Sequence, residues 1–145
     1  MLSNTTGTNN VAVGGQALDA NTTASYNTAV GYNALTANTD GHSNTSIGYG
    51  SLDANTTGDK HVAIGYNALG ANTTADSNIA IGFNASFSNT TGNANSAIGY
   101  ETLYTNTQGD RNVAVGFQAL YTMNPSGNAD SYLSLIHISE PTRLV

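Results

Sequence analysis

Apolar positions along this chain do not fall at the three-to-four spacing of a helix, nor in the long alternation of an extended strand. They come in bunches that return every 17 residues. The bunches open at Asn10, Asn27, Asn44, His61, Asn78, Asn95 and Asn112. Counting slots 1 to 17 from those residues, the shared phrase is Asn-x-Ala-[Ile/Val]-Gly-[Tyr/Phe]-x-Ala-Leu-x-[Ala/Ser/Thr]-Asn-Thr-Thr-[Gly/Ala]-x-x. Slot 4 reads Val13, Val30, Ile47, Ile64, Ile81, Ile98, Val115. Slot 5 is Gly14, Gly31, Gly48, Gly65, Gly82, Gly99 and Gly116 without exception. Slot 6 carries Tyr32, Tyr49, Tyr66, Phe83, Tyr100 and Phe117, with Gly15 in the first copy. Slot 9 carries Leu18, Leu35, Leu52, Leu69, Leu103 and Leu120, interrupted by Ser86.

Repeats this short have room for strands and turns only. Gly, Asn and Thr are poor helix formers. The β-branched, small and aromatic run in slots 2 to 6 reads as a strand, and slots 7 to 9 as a second short one. Asn-Thr-Thr-Gly reads as a turn, because Asn and Gly tolerate positive φ and the Thr and Asn side chains can bond nearby backbone. Identical residues at a fixed period stack. The expected fold is therefore all-β: a parallel β-solenoid of seven 17-residue coils, with coils about 4.8 Å apart. Residues 1–9 form a partial repeat, 10–128 the solenoid, and 129–145 an irregular tail. Pro125 lacks the N–H that a ladder requires, so the solenoid is expected to stop near it.

Alternation along the strand puts slots 2, 4 and 6 on one face and slots 3 and 5 on the other. The first face is bulky and apolar, the second is Ala and Gly, and neither carries charge. Such a wall is expected to be covered on both sides, one by its own coil and one by another chain. The slot 4 Val and Ile residues and the slot 9 Leu residues are expected to build the core. The small Ala/Gly face is then the expected chain–chain contact, with the slot 5 glycines allowing close approach. On this view Ile64→Asp abolishes folding, whereas Thr56→Ala costs little. Phe87 is expected to fill the gap that Ser86 leaves in the leucine row.

Composition narrows the function. Only 8% of the 145 residues are charged, and the net charge is −6. The basic residues are Lys60, Arg111 and Arg143, too few to neutralise nucleic-acid phosphates or to hold an anionic membrane surface. There is no cysteine, hence no disulfide or thiolate metal site. No apolar run reaches the roughly 18 residues of a membrane-spanning helix, so this segment is not expected to insert in a membrane. Met1 falls in the leucine slot and Asn4-Thr5-Thr6-Gly7 is a repeat ending, so a piece of a longer protein is expected.

The phrase Asn-x-Ala-[Ile/Val]-Gly, held in register over seven copies, resembles the head repeats of trimeric autotransporter adhesins of the YadA-like kind. The longer phrase through Asn-Thr-Thr-Gly resembles repeats of phage and bacterial tail-fibre-domain proteins. The resemblance covers residues 1 to about 128. It departs from the adhesin head in repeat length, since the Asn-Thr-Thr segment is an expanded turn. It implies a left-handed β-roll assembled as a homotrimer. It further implies a surface-exposed, extracellular fibre segment, on a bacterial outer membrane or a virion tail, that extends and attaches. A host-surface glycan or protein receptor is the implied partner. No catalytic residue or cofactor comes with it.

Chemistry within the repeats is sparse. His42 and His61 occupy different slots, and His61 stands in the Asn row. No Ser, His and Asp arrangement suggests a triad, and no enzyme activity or cofactor is expected. Asp59, Asp76 and Asp110 share slot 16 and are candidate ligands for a hard cation, although such ions want six or more oxygens. The slot 6 aromatics form a candidate binding stripe for glycans. The Thr rows of slots 13 and 14 support an alternative function, a monomeric ice-binding solenoid that orders water on a Thr array. The final stretch, 133–145, resembles a translated sequencing adapter, so His137, Glu140 and Arg143 are set aside.

Overall fold

The computed structural model describes residues 3–123 and the backbone of residues 134–136. It is a parallel β-solenoid. Its strands are β1 (Val11–Val13), β2 (Thr28–Val30), β3 (Thr45–Ile47), β4 (Val62–Ile64), β5 (Ile79–Ile81), β6 (Ser96–Ile98) and β7 (Val113–Val115). They lie side by side in chain order, each parallel to the next. Val13 pairs with Val30, Val30 with Ile47, Ile47 with Ile64, and so on to Val115, so the sequence period is the sheet register. An eighth strand, β8 (Ser134–Ile136), adds to β7 with Ser134 opposite Val113, a longer step than the others. The rest of the expected tail and the stop at Pro125 lie outside the described residues.

The strands are shorter than the sequence pattern suggests, and slots 7 to 9 form no second strand. Handedness of the backbone alternates there instead. In the fourth coil Gly65 has φ +137°, Asn67 +50° and Leu69 +53°, and Ser77 in slot 17 has +61°. Each reversal turns the chain while keeping its N–H and C=O groups along the rod axis. Every coil is thereby stitched to both neighbours. Between the third and fourth coils the bonds run Thr45 N to His61 O (2.8 Å), Gly65 N to Ile47 O (2.8 Å), Asn67 N to Tyr49 O (2.9 Å), Leu52 N to Ala68 O (2.9 Å), Thr56 N to Thr73 O (2.9 Å) and Ser77 N to Asp59 O (2.9 Å). Backbone groups that a loop would leave to water are here part of the stacking.

The core reverses the expected faces of the sheet. Slot 3 points inward: Ala29, Ser46, Ala63, Ala80, Ala97 and Ala114 are buried. Slot 8 joins it with Ala17, Ala34, Ser51, Ala68, Ala85, Thr102 and Ala119. The leucines Leu18, Leu35, Leu52, Leu69 and Leu103 have no exposed surface, and Leu120 is half-buried. The slot 4 residues were expected inside and are outside. Val13, Ile47, Ile98 and Val115 are exposed and Val30, Ile64 and Ile81 half-buried. The reason is cross-section. One coil encloses a narrow interior that the Leu row and two buried Asn rows already occupy, so only Ala- or Ser-sized side chains fit on the sheet's inner face. Alternation along the strand then forces slots 2 and 4 outward, and the slot 6 aromatics beyond the glycine are exposed as well.

Ser86 is buried among the leucines, and its Oγ has no hydrogen-bond partner. Phe87 does not fill that gap. It sits half-buried in slot 10 and stacks on Tyr104, which stacks on Tyr121 (ring centroids 5.6 and 5.0 Å).

Candidate functional site

The outward face of the sheet is the largest feature without an internal partner. The slot 2 and slot 4 rows stand side by side on β1 to β7, and the slot 6 aromatics follow each glycine, also exposed. Tyr32, Tyr49, Tyr66, Phe83, Tyr100 and Phe117 form one continuous stack, with centroids 5.1–5.6 Å apart and planes within 7–19° of parallel. The stack begins where Tyr32 lies over Gly15, whose missing side chain leaves room for the ring. All six rings are 40–63% exposed.

This geometry decides what the stripe can offer. The ring faces within the row are covered by one another, so their edges and the tyrosine hydroxyls meet solvent. Sugars that stack on aromatic residues need a ring face. The candidate glycan stripe therefore presents apolar edges flanked by Val and Ile. Desolvation within the stack, then the neighbouring Glu101 carboxylate, push the Tyr100 phenol above its usual value, so it stays a neutral donor. No residue in slots 2, 4 or 6 is charged. Thr28, Thr45 and Ser96 interrupt slot 2, but exposed Val, Ile, Tyr and Phe recur on every coil, and large exposed apolar patches are uncommon on isolated soluble proteins.

Slot 16 was read as a possible cation row, and the structure gives Asp59, Asp76 and Asp110 another task. Asp59 Oδ1 accepts the His42 N–H (2.6 Å), Asp76 Oδ1 the Asp59 N–H (2.8 Å), and Asp110 Oδ1 the Asn93 N–H (2.6 Å). Ser25, His42 and Asn93 do the same through Oγ, Nδ1 and Oδ1. Among the described residues no group of three or more His, Cys, Asp or Glu side chains is placed to hold a metal ion. The slot looks variable in sequence, yet each of these residues supplies an acceptor. That shared property was the available signal.

Two Asn rows escaped the sequence reading as functional rows, although their regularity was visible. In slot 12 the Nδ2 of Asn21, Asn38, Asn55, Asn72 and Asn89 donates to the Oδ1 one coil earlier, as in Asn55 to Asn38 and Asn72 to Asn55 (both 2.9 Å). The ladder stops at Asn89, whose Oδ1 is unpartnered. In slot 1 the Oδ1 of Asn10, Asn27, Asn44, Asn78 and Asn95 accepts the backbone N–H of the next coil, as in Asn27 Oδ1 from Asn44 N (2.9 Å). Nδ2 groups of both rows converge on the slot 15 carbonyl, Gly58 O being held by Asn44 and Asn55 (2.9 and 3.0 Å). These buried ladders fasten the expanded turn to the sheet.

The slot 13 threonines are committed as well. Thr39, Thr56, Thr73 and Thr90 each direct Oγ1 to the slot 13 carbonyl of the next coil (3.0–3.3 Å). In slot 14, Thr23, Thr57, Thr74 and Thr91 are exposed, Asp40 and Gln108 interrupt that file, and Thr23 Oγ1 donates to Asp40 Oδ1 (2.9 Å). No family model, no curated protein and no solved structure matches this chain.

Proposed function

We propose that this chain is a structural segment of a surface-exposed trimeric fibre, of the bacterial adhesin or phage tail-fibre type, used for extension and attachment. The observation that carries this reading is the uncharged outward face of β1 to β7. There the slot 4 row of Val and Ile lies beside a slot 2 row of Val, Ile, Thr and Ser, and the edges of an unbroken aromatic stack run from Tyr32 to Phe117. A stable rod needs no such face, because Ala, Leu and Asn already fill its interior. A second and third copy do need one: aligned side by side they bury three matching faces about a common axis. The sequence resemblance supports the same assembly. The chain–chain contact passes from the Ala/Gly face, whose alanines are inside the coil, to the face that carries the slot 4 Val and Ile. Attachment to a host-surface glycan or protein then falls to surfaces outside that contact.

The test is the solution mass of the chain by light scattering, with circular dichroism on the same peak. Three chains per particle are expected. Ile64→Asp, at the centre of the face, is expected to give a β-rich monomer, because an aspartate on the outer face costs the coil little and the contact much. A β-rich monomer from the parent chain overturns the trimer. A trimer that survives Ile64→Asp overturns the placement of the contact.

A further inference from the structure

Among the described residues, His61 is the one histidine with no exposed surface. The Asn residues on either side of it show what its place requires. Asn44 accepts the backbone N–H of the next coil on Oδ1 (2.9 Å) and donates Nδ2 to the slot 15 carbonyl of its own coil, Gly58 O (2.9 Å). His61 reproduces both contacts with a ring: Nδ1 lies 3.1 Å from the Asn78 N–H, and Nε2 lies 2.6 Å from Ala75 O. An imidazole meets both demands in one state only, neutral with its proton on Nε2. An amide in this row cannot change state with pH; the imidazole can. A second proton, on Nδ1, would set donor against donor at Asn78 and place a cation in the core.

The charged groups that act on the ring are Asp59, from the coil before, and Asp76, from its own coil, both in slot 16. From the fifth coil Asn78 meets the ring through its backbone N–H. Asn72 Nδ2, 3.2 Å from Nε2, is a donor facing a donor in the neutral state and gives a cation nothing. Burial outweighs the two carboxylates and holds the ring below the usual histidine range.

We propose that His61 makes the seam between the fourth and fifth coils an acid-sensitive opening point of the rod. In a solenoid each coil rests on its neighbours alone, so weakening one seam divides the rod into two blocks. The inference rests on the fold and does not depend on the fibre reading. The opened or unfolded chain binds the proton that the closed seam refuses. Stability from this site is therefore complete above about pH 6.5, the ordinary histidine value, and is lost as pH falls from there toward the lowered folded value. Asp53 works in the other direction. Burial raises its carboxyl, so its contribution is complete below the ordinary value of 3.8 and is lost as pH rises.

The experiment is amide hydrogen exchange of the full chain across this range, corrected for intrinsic rates, in the parent and in His61→Asn. The variant restores the row's own residue, and Asp53 is common to both proteins. Below about pH 6.5 the opening constant at Asn78 is expected to grow in the parent by up to about tenfold per pH unit relative to His61→Asn. Parallel profiles in the two proteins overturn the proposal. Nitrogen shifts of the parent's His61 ring supply a readout that needs no variant. A proton on Nε2 alone is expected while the seam is closed. A proton on Nδ1 in the closed seam, or ordinary histidine titration with Asn78 still protected, overturns it.

Discussion

Gly65→Ala is expected to leave the chain unable to form a regular solenoid. Gly65 ends β4 with φ +137°, a region that L side chains rarely adopt. Strain of this kind costs about 1–3 kcal/mol by itself. Space is the larger problem. A Cβ at Gly65 would overlap the carbonyl oxygen of Gly82 and lie 2.7 Å from its carbon. Neither atom can move aside, because Gly82 is fixed by its own N–H to Ile64 O (2.8 Å) and faces Gly99 in the same way. The axial separation of all the coils would have to open at one edge. The expected loss exceeds about 4 kcal/mol, the range reserved for a few named mechanisms, of which strain at a special φ is one and overpacking another. Gly15→Ala is the control: its Cβ would meet only the Tyr32 ring, and its φ is not positive. Thermal melts followed by circular dichroism decide the matter. A Gly65→Ala protein melting close to the Gly15→Ala protein would show that the glycine column is not what sets the coil spacing.

Ser86→Leu is expected to act in the opposite direction, stabilising the chain by about 2 kcal/mol. Ser86 is buried in the leucine column between Leu69 and Leu103, with its hydroxyl unsatisfied. An unmade hydrogen bond of this kind costs about 1–3 kcal/mol, and burying a leucine side chain contributes about 1.5–3 kcal/mol. Lost rotamer freedom returns about 0.5–1 kcal/mol, and some rearrangement offsets more. The backbone is no obstacle. Ser86 has φ +51°, and the leucines of this column hold φ between +51° and +55°. The check is the denaturation midpoint in urea at unchanged slope. A lower midpoint would mean that the fifth coil has already closed over the vacant volume, leaving no room for the leucine.

The sequence by itself determined the period, the parallel register and the succession of seven strands. A residue type repeated every 17 positions has one economical arrangement, stacked upon itself, and Val13 to Val115 pair in that order. It also marked the invariant glycines and the leucine column. It did not determine which side of the strand faces inward. Alternation separates slots 2, 4 and 6 from slots 3 and 5 without saying which set is enclosed, and hydrophobicity favoured the wrong one. The tertiary structure decided this through volume. Leu69, Asn72 and His61 share one narrow interior, so Ala63 faces in and Ile64 faces out. The same limit converts the Asn rows from turn residues into buried ladders. It also turns Asp59 and Asp76 from prospective ligands into acceptors for backbone N–H groups. Each of these roles depends on contact with the coil before or after. Such contacts follow from the stacking distance and the coil's enclosed volume, and no single repeat contains either.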